Sequence, residues 1–132
     1  MAESILKKKA DSLLREAGEN YSKARESSAE KEFTTFQHFQ NAARLYKESA
    51  NVAKQLGMDE KATDRRIASA LALVKILKAA DQAEKETPIS APEFGSFRFY
   101  SRKATESLDI LLTEWLAERG KEADKKKQIQ PR

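Results

Sequence analysis

Cysteine is absent from this sequence, and glycine, proline and aromatic residues are scarce. The 132 residues include 4 glycines, 3 prolines and one tryptophan. The lack of cysteine excludes disulfide bonds, thiolate metal sites and a cysteine nucleophile. No apolar run approaches the roughly 18 residues that cross a membrane, and the charged first ten residues do not resemble a secretory signal. We therefore expect a cytoplasmic protein with no membrane span.

Charged residues are abundant, at 35% of the chain, and the formal net charge is +4. Residues 121–132 supply three of these four net charges, because they hold five lysines or arginines and two acids. A folded nucleic-acid-binding domain usually concentrates its basic excess on one face of the folded body. Here the excess lies in the last twelve residues, so the charge does not by itself indicate such a domain.

Four amphipathic helices are predicted from apolar residues that recur every three or four positions. They cover residues 4–27, 29–56, 60–85 and 97–119. The first has one apolar stripe, and Gly18 within it indicates either a break in the helix or close packing against a neighbour. The second has two stripes, so we expect it to pack against two partners. The third has the broadest apolar face and is expected to be the most buried.

The predicted helix ends follow from capping residues. Ser27 and Glu30 have the spacing of a capping box at the start of the second helix. Asp59 is expected to cap the third helix. Gly57 and Gly120 are expected to end the second and fourth helices, because glycine adopts the left-handed conformation of a helix C-terminus.

Residues 87–96 are predicted to form a linker, because Pro88 and Pro92 each disfavour helix in the residue before them. Residues 121–132 have almost no apolar side chains and are predicted to be a disordered basic tail. The expected fold class is all-α: an antiparallel bundle of three long helices (1–86), with a fourth helix (97–120) after the proline-containing linker, in one domain over 1–120. The fourth helix packs either on this core or on a partner chain, and helices this long also favour a homo-oligomer.

Residues that could carry catalysis do not converge in the sequence. His38 is the only histidine, and the residue three positions before it is Thr35 rather than the glutamate of helical metal sites. No glycine-rich phosphate-binding loop is present. Trp115 is interpreted as a core residue rather than a ligand platform. We therefore predict a protein that is not an enzyme and that has no cofactor and no metal.

One helix pair resembles a tetratricopeptide repeat. The order of bulky, small, small and aromatic residues that is typical of its first helix occurs in Phe39-x-x-Ala42-Ala43-x-x-Tyr46. The turn and second helix resemble Gly57-x-x-x-Lys61-Ala62 and Ser69. A second copy of the first-helix pattern lies 25 residues earlier, in Leu14-x-x-Ala17-Gly18-x-x-Tyr21. Tetratricopeptide repeats recur at 34 residues, so this spacing departs from the family pattern. Residues 1–86 are also similar in size to the three-helix microtubule-interacting-and-trafficking (MIT) domains. Both resemblances imply a non-catalytic adaptor that binds a peptide or helix in a groove.

An aromatic cluster at the start of the second helix is the candidate partner site. An exposed cluster of large rings would mark an interaction surface, whereas a buried one would close the core beneath the fourth helix. The cluster consists of Phe33, Phe36 and Phe39, and the sequence leaves both alternatives open.

The predicted function is protein–protein interaction, with a helix or peptide bound in an apolar groove. The first alternative is association with nucleic acid through the basic tail, at Lys125, Lys126 and Lys127. The second is an enzyme or ligand carrier with an apolar pocket between the second and third helices.

Overall fold

Four helices make up the fold. The computed structural model describes residues 2–26 and 33–129, with side chains described for 4–26 and 33–121. The helices are α1 (Ala2–Glu26), α2 (Phe33–Gln55), α3 (Asp59–Glu86) and α4 (Glu93–Ile129). No residue of the two described ranges is in a strand. The all-α class predicted from the sequence is confirmed.

Each helix packs against the next one along the chain. α1 lies on α2, α2 on α3, and α3 on α4, while α2 and α4 approach each other only over a short stretch. α2 is thus covered on two sides, as its two apolar stripes predicted. Phe36 and Ala43 of one stripe and Ala42 and Leu45 of the other are buried.

Small residues bring neighbouring helices close together. Ser49 on α2 is fully buried, and its Oγ donates a hydrogen bond to the carbonyl oxygen of Ala10 on α1 over 2.8 Å. Ser69 on α3 is also buried, and its Oγ donates to the carbonyl oxygen of Ala43 on α2 over 2.7 Å. A hydroxyl reaches a backbone oxygen of the next helix only where the two backbones lie close. Within residues 4–26, the buried side chains of α1 are accordingly all small: Ala10, Ala17 and Ala24.

Gly18 does not break α1, which is continuous through it. A Cβ atom placed on Gly18 would lie 4.0 Å from the hydroxyl oxygen of Tyr46, an ordinary van der Waals distance. Burial, and secondly the nearby Tyr21, raises the pKa of Tyr46 above its usual 10.0, so this hydroxyl is protonated at neutral pH. Because α1 is continuous at Gly18, the helix break is the wrong one of the two alternatives.

Replacing Gly18 with alanine is expected to raise the free energy of unfolding by about 0.5–1 kcal/mol, because glycine in a helix interior is destabilising by that amount. Urea denaturation of the two proteins measures the difference. Gly57→Ala is the matched control: Gly57 has φ +75°, so alanine there should lower stability by about 1–2 kcal/mol. A loss of stability in Gly18→Ala would show that a Cβ atom does not fit beside Tyr46.

The end of α2 agrees with the prediction from the sequence, whereas the start of α3 does not. The amides of Gly57 and Met58 donate to the carbonyls of Lys54 and Ala53, the pattern of a helix closed by a left-handed glycine. Asp59, however, makes no capping hydrogen bond, because it already lies in the first turn of α3 after Met58. Its carboxylate instead pairs with Lys54 Nζ, 3.2 Å away.

α4 is longer than predicted at both ends. It begins at Glu93, directly after Pro92, so the non-helical connection is 87–92 rather than 87–96. Proline disfavours helix before itself but suits the start of one, where its missing amide costs nothing. The predicted end at Gly120 is wrong, because α4 continues to Ile129. A helical glycine costs only about 1 kcal/mol relative to alanine. Residues 130–132 and the capping box at Ser27 and Glu30 lie outside the described residues.

The expected burial of α3 needs a correction. Its core side carries Leu73 and Ile76, which are 5% and 0% exposed, whereas Ile67 and Leu71 are 43% and 54% exposed. The two exposed residues lie four positions apart and therefore share a face. α3 thus has an apolar side that neither α2 nor α4 covers.

Candidate functional site

The phenylalanine cluster closes the core. Phe36 is 0% exposed and Phe39 is 8% exposed. Phe33 is half-buried, with its ring centroid 5.3 Å from that of Phe97 and 5.7 Å from that of Tyr100 on α4. This placement favours core closure by α4 over a partner surface, although Phe36 and Phe39 also border a depression between α2 and α3.

The other predicted candidates form no site among the described side chains. Lys125, Lys126 and Lys127 belong to the backbone of α4, but their side chains lie outside the described residues. No cluster of three or more histidine, aspartate or glutamate side chains able to hold a metal occurs in the described part of the chain. Trp115 is half-buried and borders a small polar depression beside the Arg66–Glu118 ion pair, whose N–O distance is 2.6 Å.

One of the concave surfaces of the described residues is a groove between α2 and α4, with α3 as its floor. Its volume is about 370 Å³. Ala43, Leu73 and Leu111 make the floor, and Ile110, which is 52% exposed, lies at its edge. The remaining residues that border it are polar or basic: Gln40, Asn41, Arg44, Lys47, Ser69, Lys103 and Ser107.

Contacts between α2 and α4 limit the groove at both ends. At one end, Gln37 Nε2 donates to the hydroxyl of Tyr100 over 3.5 Å, beside the phenylalanine cluster. At the other end, Lys47 Nζ and Glu114 Oε2 form an ion pair of 3.0 Å. The open part between Gln40 and Lys47 is two helical turns, or about 10 Å, long. The groove therefore suits a short segment and not a long helix.

Hydrogen-bond donors line the α2 wall of the groove. Gln40, Arg44 and Lys47 are four and three positions apart, so they share one face of α2. Gln40 Nε2 is buried and has no acceptor within the part of the chain that the structure describes. A buried donor without an acceptor is costly, at about 1–3 kcal/mol. If the Gln40 amide turns toward the groove, an oxygen atom of a ligand there can accept its hydrogen bond and remove that cost.

The basic side chains of the groove differ in how they are paired. Arg44 Nη1 lies 3.1 Å from Glu48 Oε1, and Lys47 is paired with Glu114. Lys103 on the opposite wall lies over the ring of Phe99, with 5.8 Å from Nζ to the ring centroid. Among the described residues it has no carboxylate within ion-pair distance. Lys103 is therefore the cation most available to an anionic ligand.

Sequence reasoning missed this groove. It placed its candidate pocket between the second and third helices, where a separate depression of about 570 Å³ is bordered by Phe36, Phe39 and Lys75. The signal was present in the polar row Gln40, Arg44 and Lys47 beside the apolar stripe of Phe36 and Ala43. Its meaning depended on α4 lying opposite, which the spacing in α2 does not reveal.

No protein-family model, curated protein or solved structure matches this chain. No helix among the described residues is long and apolar enough to cross a membrane.

Proposed function

We propose that this protein is a non-catalytic protein–protein interaction module that binds a short acidic peptide segment with apolar side chains in the α2–α4 groove. The observation that carries this proposal is the combination of an apolar floor with the unpaired donor of Gln40 at its edge. A peptide supplies both matching parts, because its apolar side chains cover the floor and its backbone carbonyls accept hydrogen bonds.

The charges of the groove favour an acidic ligand over a basic one. Lys103 has no acidic partner among the described residues, and Arg44 and Lys47 are held by exposed glutamates that a ligand carboxylate can replace. Each exposed pair contributes no more than about 1 kcal/mol and is screened by salt. The charges therefore select the ligand, while burial of apolar surface, at roughly 25 cal/mol per Å², supplies affinity.

The fold that belongs to this proposal is an antiparallel arrangement of helices like that of tetratricopeptide-like or MIT-like modules. Two contacts between α1 and α2 support it. The rings of Tyr21 and Phe39 have centroids 5.4 Å apart, whereas Ala10, earlier in α1, accepts a hydrogen bond from Ser49, later in α2. A later residue of α2 thus contacts an earlier residue of α1, as expected for two helices that run in opposite directions.

Binding of a short fluorescein-labelled peptide of alternating leucine and glutamate tests the function by fluorescence anisotropy. The full chain should bind it more tightly than a peptide in which lysine replaces glutamate. Lys103→Glu should weaken binding about fivefold or more, the effect of ~1 kcal/mol. Lys61→Glu is the matched control, because Lys61 is an exposed lysine of α3 away from the groove, and it should change affinity less than about twofold.

The apolar part of the groove has its own matched pair. Ile110→Ala should weaken peptide binding, whereas Ile89→Ala, at an 83% exposed position of the connection before α4, should not. Equal affinity for the acidic and basic peptides would overturn the proposal. Tight, steeply salt-dependent binding to generic duplex DNA that is lost on removal of residues 121–132 would instead support the nucleic-acid alternative.

A further inference from the structure

The outer face of α4, away from α2, carries an exposed apolar pair between two opposite charges. Leu112 and Leu116 are 41% and 68% exposed. Asp109 and Arg119 are exposed on either side of them. At 3.6 residues per turn, the four residues fall within about 80° of the helix circumference. We define them as the α4 outer stripe.

This stripe is not part of the groove. Glu114, which pairs with Lys47 of α2, lies about 180° around α4 from the midpoint of Leu112 and Leu116. The exposed Ile67 and Leu71 of α3 likewise lie opposite Ser69, which contacts α2. Ile67 and Leu116 lie within two positions of Arg66 and Glu118, which pair with each other across the two helices.

The residues of the α4 outer stripe are arranged symmetrically about one position of the helix. Leu112 and Leu116 are equally spaced about position 114, and so are Asp109 and Arg119. An antiparallel α4–α4 contact centred there places each Leu112 against the partner subunit's Leu116. It also places each Asp109 against the partner subunit's Arg119. Neither charge has an ion-pair partner elsewhere in the described ranges 4–26 and 33–121, so both are available for such a contact.

We propose that the α4 outer stripe is a self-association surface whose occupant is the same stripe of a second copy of this chain, in antiparallel orientation. An isologous interface must be complementary to itself, so its charges must alternate about the symmetry axis. The stripe meets that requirement, whereas binding to a different protein would not need it. Because the groove lies on the other side of α4, self-association leaves peptide binding possible and does not depend on it.

Sedimentation equilibrium of the full chain over a wide concentration series tests this contact. The wild-type chain should show a monomer–dimer equilibrium, and Leu116→Glu should abolish it. Asp109→Arg and Arg119→Asp should each weaken dimerisation about tenfold, because each places two like-charged pairs at the interface. The double variant Asp109→Arg/Arg119→Asp should restore the wild-type dimerisation constant, because the opposite charges then face each other again.

Mixing the two single variants gives a stricter form of the test. In the mixed dimer both charge pairs are again opposite, so the mixture should associate more strongly than either variant alone. Circular dichroism and thermal melting of the dilute variants should match the wild type, because the altered side chains are exposed. A wild-type chain that stays monomeric throughout the series, or a double variant no stronger than the singles, would overturn the proposal.

Discussion

Replacing Phe36 with alanine is expected to lower the free energy of unfolding by about 3–5 kcal/mol, the range for truncating a buried aromatic ring. Phe36 is completely buried, and its ring contacts those of Phe33, Phe97 and Tyr100 at centroid distances of 6.3, 6.3 and 5.2 Å. Its removal would leave a cavity where α2 meets α4, and three rings would lose a neighbour. Chemical denaturation followed by circular dichroism measures the loss.

Phe99→Ala is the control for that experiment. Phe99 is on α4 and is 57% exposed, although its ring also contacts Tyr100. Its truncation should cost about 1 kcal/mol or less, because little of the ring is removed from a packed environment. Equal losses in the two variants would show that the aromatic cluster is not the closure between α2 and α4.

Ile76→Ala on α3 is expected to cost about 2–5 kcal/mol, because Ile76 is 0% exposed within the main apolar cluster. Ile67→Ala on the same helix should cost much less, since Ile67 is 43% exposed. Both variants should be measured at a dilution where the chain is monomeric, so that a contact between copies does not add to the Ile67 value. A loss at Ile67 as large as that at Ile76 would contradict the exposed side of α3.

Local patterns were sufficient to predict the existence of all four helices and the approximate range of the first three, whereas α4 extends beyond its prediction at both ends. The two stripes of α2 and the turn at Gly57 are set by spacing and by backbone conformation, so they could be read before any partner was known. Gly18 shows the limit of this reasoning. Its helix propensity is unfavourable, but packing of α1 on α2 holds the helix continuous through it.

The side that each apolar residue faces could not be predicted from one helix alone. The broad apolar face predicted for α3 includes Ile67, Leu71, Leu73 and Ile76. The first two are exposed and the last two are buried. The difference depends on where α2 and α4 lie, and that is a property of the tertiary structure. The groove was missed for the same reason, because its two walls lie on helices separated by the whole of α3.

The packing of each helix on its sequence neighbour also determines how the chain folds and opens. Contacts that join adjacent helices require only short loops to close, and such low contact order is associated with fast folding. Stability in a row of this kind is approximately a sum of interactions between nearest neighbours. α1 has one neighbour and buries mainly alanines, whereas α2 is held on both sides. We therefore expect local unfolding to begin at the end helices, α1 or α4, while α2 and α3 stay folded until the whole row is lost.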